Sequence, residues 1–195
     1  SDAKLPAETP LALDEDFRLI LTKPIGTGVI MAANRQLKAD AICVDDAIAS
    51  MRHSNQHAAD VFRENNIIAA TDVTGFGLAR HAQNLAVRLG LAGFVIDLPS
   101  VPLLHGVTPL FEAGIASSLH EQNQHAIPIH NTGKIPPHSR DVLFDPQTSG
   151  GLLGVFKAAD AENAVNALVK SGHRAAMIGR LDQHTAGITI QSGGL

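Results

Sequence analysis

The chain has 195 residues, 45% of them hydrophobic and 17% charged, which suits one folded globular domain and excludes a disordered one. A formal net charge of −4 offers no basic field to a nucleic-acid backbone, and the ten histidines are scattered rather than gathered into a basic stretch. No apolar run approaches the ~18 residues of a membrane-spanning helix.

The single cysteine, Cys43, excludes an internal disulfide and reads as a small buried hydrophobe on a helix. The cytosol is the expected compartment. With no tryptophan or tyrosine, the chain is poorly equipped to stack bases or sugars, and its core must rest on aliphatics and seven phenylalanines.

Residues 1 to 16 bear prolines and acids without periodicity and read as a linker or an appended segment; they lack the basic and apolar stretches of a signal peptide. Phe17 to Thr22 predicts a strand stopped by Lys23-Pro24, and Gly26 to Asn34 a glycine-lined turn into a helix. From Ala39 to Asn65 the apolar residues recur at three- and four-residue spacing, as in two helices or one bent near Ser54-Asn55. A strand at Ile67 to Ala70 runs into Thr71-Asp72-Val73-Thr74-Gly75-Phe76-Gly77, and a helix follows with Leu78, Ala82, Leu85 and Leu89 on one face. Phe94 to Leu98 predicts a further strand. Residues 99 to 140, rich in proline, histidine and small polar side chains, predict a long loop region around one short helix at Thr108 to Ala113.

Strands at Asp141 to Phe144 and Leu152 to Phe156 flank Asp145-Pro146-Gln147-Thr148-Ser149-Gly150-Gly151. Ala158 to Lys170 is an amphipathic helix, and strands at Ala175 to Leu181 and Gly187 to Gln191 are spaced to pair as a hairpin. This order predicts an α+β fold, a mixed β-sheet covered by helices.

The strand, glycine loop and helix over Ala69 to His81 form the strongest chemical signal. A helix N-terminus exposes amides and a positive dipole end, and Gly75 and Gly77 let backbone approach an anion. Asp72 fits beside phosphate only with a hard cation such as Mg²⁺ between the two negative groups. Equally, Asp72 or Thr74 could cap the helix while the glycines make a tight turn.

Turn chemistry alone accounts for Asp145 to Gly151. Lys23 either faces a phosphate or is an exposed lysine at a strand end. His53 and His57, four apart, could share a helix face, but no third metal ligand has suitable spacing. The histidines at 105, 120, 125, 130 and 138 fall at irregular intervals, and nothing near Cys43 marks it as a nucleophile. No Walker loop, nucleophile elbow or paired CxxC is present.

LILTKPIGTG at 19 to 28, ATDVTGFGL at 70 to 78 and LFDPQTSGGLL at 143 to 153 resemble, in this order, the C-terminal half of selenophosphate synthetases (selenide, water dikinases). That family lies in the aminoimidazole ribonucleotide synthetase-like superfamily. Its other branches, thiamine monophosphate kinase and the hydrogenase-maturation carbamoyl dehydratase among them, look different at the TDVTGFG loop.

The resemblance implies a partly ferredoxin-like domain over 17–195 whose N-terminal, ATP-binding partner domain lies outside this sequence. It implies a cytoplasmic enzyme, homodimeric when full-length, that turns selenide, ATP and water into selenophosphate, AMP and orthophosphate with Mg²⁺. Asp72 corresponds to a Mg²⁺ ligand, while Thr74, Gly75 and Gly77 would line the nucleotide site. Asn123 is the nearest match to an asparagine of that site, although the arginine usual before it is missing. No catalytic residue is assigned to this chain: the nucleophilic cysteine or selenocysteine and its lysine belong to the N-terminal half, Cys43 is not their counterpart, and the fragment alone is expected to be inactive. The competing expectations are an ATP-dependent synthetase of the superfamily with another substrate, such as a formylglycinamidine nucleotide, and a non-catalytic binding or scaffolding module.

Overall fold

The computed structural model describes residues 16–91, 93–127, 129–131, 135–182 and 185–192. The linker expected at 1 to 16 therefore lies, except for Asp16, outside the described residues.

Seven strands form one mixed sheet: β1 (Phe17–Leu21), β2 (Ala69–Asp72), β3 (Gly93–Asp97), β4 (Ile129–Asn131), β5 (Leu152–Lys157), β6 (Ala176–Asp182) and β7 (Gly187–Gln191), in the order β2-β5-β1-β6-β3-β7-β4. The pairs from β2 to β3 are antiparallel, whereas β3–β7 and β7–β4 are parallel.

Side chains on a strand alternate between faces, and the two faces here meet different helices. Leu19, Leu21, Leu153 and Val155 join the larger core with α1 (Thr27–Arg35), α2 (Ala41–Arg52), α4 (Gly77–Arg88) and α5 (Val107–Glu112). Ile20, Leu152 and Phe156 point the other way, into a smaller core under α3 (Gln56–Glu64) and α8 (Ala158–Lys170). There Phe62 and Phe156 meet edge to face with centroids 5.1 Å apart.

The α+β reading holds, as do the break between α2 and α3 and the burial of Cys43. Three expectations change. Asp141 to Phe144 is not a strand: a short helix α7 (Pro137–Asp141) runs into a 3₁₀ turn, Val142–Phe144. A proline in its first turn pre-sets helical backbone, and all three apolar residues of the turn are buried, so the run gains burial without alternating. Nor do β6 and β7 pair as a hairpin. β3, buried along its whole length, inserts between them, and a hairpin would have displaced that apolar strand from a central place. Finally, the expected loop region holds α5, a short α6 (His120–Gln124), β4 and α7. Among the described residues no helix is long and apolar enough to cross a membrane.

Candidate functional site

β1 and β2 run antiparallel to the β5 strand between them, so the loops that leave them meet the loop that enters β5 at one end of the sheet. The three distinctive segments of the sequence lie there. Thr22 N–H donates to Leu152 O (3.0 Å), Leu152 N–H to Thr22 Oγ1 (2.8 Å), Val73 N–H to Gly151 O (2.9 Å) and Gln147 N–H to Thr74 O (3.1 Å).

In the loop before β5, Asp145 and Gln147 are committed to structure. Helix α1 has no capping side chain of its own. Its first amides are met instead from the far end of the chain. Gln147 Oε1 accepts from Gly26 N–H (3.0 Å), Thr27 N–H (3.3 Å) and the Thr27 hydroxyl (3.2 Å). Asp145 Oδ2 accepts from Gly28 N–H (2.9 Å) and from Gln147 Nε2 (2.9 Å). These contacts satisfy donors that every helix start leaves open.

Asp145 is fully buried, and burial pushes its carboxyl up to about 7 against the pull of Gln147 and the amides of Gly28 and Val29. Gly28 cannot be replaced cheaply: a Cβ there would stand 2.5 Å from Pro146 O and 2.6 Å from Asp145 Oδ1. Turn chemistry alone missed this cap, because its partners are more than a hundred residues apart.

The loop after β2 is built differently. Asp72 is the last residue of β2 and is exposed, and no hydrogen bond or ion pair to its carboxylate occurs among the described residues. Helix α4 begins after Phe76 with no side-chain cap, so neither Asp72 nor Thr74 does the capping the sequence allowed for.

Thr74 turns inward. Its N–H and hydroxyl lie 3.0 and 2.9 Å from Nε2 of His81, one turn into α4. An amide can only donate, so Nε2 is the acceptor and the ring is neutral with its proton on Nδ1. Burial lowers the pKa of His81 in keeping with this, while Asp72 acts to raise it.

Gly77 has φ +77°, and a Cβ there would press on Phe144 backbone carbon at 2.9 Å. Its freedom is thus used to seat α4 on the 3₁₀ turn. The buried Asn123, from α6, clamps the same contact, donating through Nδ2 to Gly75 O (2.9 Å) and Phe144 O (3.0 Å). Of the two glycines in this loop, Gly75 is the one with open space where a side chain would stand. Of the residues singled out in the sequence, Thr74, Gly75 and Gly77 share one loop with Asp72 and Asn123 is tied to that loop; Asp72 and Thr74 are exposed, and Gly75 has open space.

Lys23 is not the exposed lysine of a strand end. It is buried, and Nζ donates to His53 O (2.6 Å) and Ser149 O (3.1 Å). Burial lowers its pKa, offset in part by Asp72. His53 and His57 do not share a helix face, since His53 follows the end of α2 and His57 lies in α3. His173, which the sequence reading passed over, packs between them with ring centroids 4.5 Å from His53 and 6.0 Å from His57. His120 packs against Phe111 and Phe144, and His130 meets Ala186 O, so the histidines of 99 to 140 serve separate contacts. Among the described residues no three His, Cys, Asp or Glu side chains converge to hold a metal ion. Asp72 can thus offer one ligand to a cation but not a complete site.

Comparison with known proteins adds three findings. Residues 15–190 match the family model for the C-terminal domain of AIR synthase related proteins. Two selenide, water dikinases are similar in sequence: that of Desulfitobacterium hafniense is 34% identical over 84% of this chain and 48% of its own length, and that of Geobacter metallireducens 41% identical over 70% and 40%. The chain spans about half the length of the curated relatives it matches. In structure it resembles the hydrogenase maturation protein HypE (TM-score 0.68, 16% identity, 96% of this chain and 53% of the other). It also resembles thiamine-monophosphate kinase from Stenotrophomonas maltophilia (TM-score 0.59, 17%, 93% and 51%). At those identities the likeness is one of fold.

Proposed function

The chain belongs to the AIR synthase related family as a C-terminal domain, and from that membership we propose that residues 17–195 are the C-terminal domain of a selenide, water dikinase. The whole enzyme converts selenide, ATP and water to selenophosphate, AMP and orthophosphate in the cytoplasm, working as a homodimer whose N-terminal domains carry the nucleophile. One observation carries the reading: three loops with the sequence character of that family are tied together at one end of the sheet, and the carboxylate they leave exposed and unbonded is that of Asp72.

Asp72 offers its oxygens to Mg²⁺, a hard cation that takes oxygen ligands and neutralises phosphate charge as phosphoryl transfer proceeds. The remaining ligands come from elsewhere, because among the described residues no group of three His, Cys, Asp or Glu side chains forms around Asp72. Gly75 gives the nucleotide phosphates access to backbone. Thr74, Gly77 and Asn123 act by holding that loop: Thr74 through His81, and the other two through the Val142–Phe144 turn.

ATP consumption by a protein joining this domain to its N-terminal half, followed by phosphorus NMR with and without selenide, tests the proposal. Selenide-dependent AMP and selenophosphate are expected. ATP use indifferent to selenide would overturn it and favour another synthetase of the superfamily; no ATP use at all would favour a binding module.

A further inference from the structure

Behind Lys23, a second cleft of about 330 Å³ has no part in the proposal above. Lys23, Ser50, His53, His173, Arg174 and Asp46 are among the residues that line it. Its only carboxylate is already engaged: Asp46 accepts from Arg174 Nη2 (2.8 Å) and Nη1 (3.2 Å) and from His105 N–H (3.0 Å). The other polar groups are donors or bases.

His173 is 4% exposed, yet neither of its ring nitrogens has a hydrogen-bond partner. A buried polar group left in that state is costly. It is also surrounded by its own kind. His53 meets it edge-on, His57 lies beyond, and Lys23 faces the same space; burial first, then these three groups, hold its pKa at about 4.

A cation entering here finds no free anionic ligand and an ammonium beside it. An apolar molecule leaves every donor unpaired. An oxyanion accepts from all of them, through the remaining Lys23 proton, a ring N–H of each histidine and the Ser50 hydroxyl, in charge-assisted bonds. We propose that this cleft binds a phosphate-class oxyanion, held by Lys23, His53 and His173. The proposal rests on the cleft alone and stands or falls separately from the role of Asp72.

Ring signals of the ten histidines, followed by NMR in this chain at pH 7, provide the test. Sodium orthophosphate is titrated against sodium chloride at matched ionic strength, with magnesium-free ATP as a second arm. Saturable shifts of the His53 and His173 rings in phosphate but not chloride are expected. His53→Gln, at an exposed position, should weaken the affinity at least fivefold while leaving the phosphate-free melting temperature unchanged. Saturation by ATP but not by orthophosphate would identify a nucleotide as the source of the phosphate. If neither anion gives a saturable shift, or if His173→Gln binds as tightly as the parent, the site does not exist.

Discussion

Two loops of this protein share a vocabulary of aspartate, threonine and glycine and stand side by side at one end of the sheet, yet they do opposite things. In the loop before β5, Asp145 is fully buried and spends one oxygen on donors at the start of α1. In the loop after β2, Asp72 is exposed and its carboxylate is bonded to nothing among the described residues, beside a glycine with open space around it. An acidic glycine loop is therefore not a functional signature until its donors are accounted for. Asp145, whose Oδ2 is bonded inside the fold while its buried Oδ1 has no partner, ties the loops together; Asp72, whose carboxylate is exposed and unbonded, is available to a ligand.

The largest expected effect separates the two directly. Asp72→Asn should lower selenide-dependent ATP turnover of the two-domain enzyme on the order of 10²-fold, as loss of one charge-stabilising group does, and should leave the melting temperature within about 2 °C because no internal bond is lost. Unchanged turnover and Mg²⁺ dependence in that variant would remove Asp72 from the site. Asp145→Ala should act through folding instead. It strands the Gly28 amide and the Gln147 side-chain N–H in a buried place, which costs roughly 3 kcal/mol, or about 6–12 °C in a thermal melt. A melt indistinguishable from the parent would show that the cap is dispensable.

The glycines divide in the same way. Gly77→Ala meets both a left-handed backbone and the Phe144 main chain, and should cost about 2 kcal/mol in urea unfolding. Gly75→Ala meets open space and should stay within about 0.5 kcal/mol, while raising KM for ATP if phosphate approaches there. A Gly75 variant as unstable as the Gly77 variant would break the distinction.

The smallest net effect is in the parent's own pH dependence of stability, where two opposed shifts offset each other. Asp145, raised to about 7 from an ordinary 3.8, contributes stability that is present below the lower value and lost as pH rises through the upper one. His173, lowered to about 4 from 6.5, contributes stability that is present above the higher value and lost as pH falls towards 4. Across the interval between 4 and 6.5 the two slopes oppose each other. Thermal melts of His173→Gln over this interval should therefore lose stability faster with rising pH than the parent, and those of Asp145→Asn should gain it faster. Parallel profiles for both variants and the parent would mean that neither group titrates in a coupled way with folding.

Much of this was legible in the linear sequence. The 3- and 4-residue spacing marked α2, α3 and α4, and the break at Ser54-Asn55 fell where the helices part. The TDVTGFG stretch named Asp72 before its exposure was known. Such features are local, written in propensity and periodicity over a few turns of chain.

What only the tertiary structure decided involved partners far apart in sequence. β3 separates β6 from β7 because its buried face needed neighbours on both sides, and no hairpin spacing reports that. Gln147 caps a helix 120 residues earlier, Lys23 gives its protons to the carbonyls of His53 and Ser149, and His173 meets His53 across the domain. A residue's type states which bonds it can make, but which donors and acceptors reach it, and whether water reaches it first, is set by the packing of the whole chain.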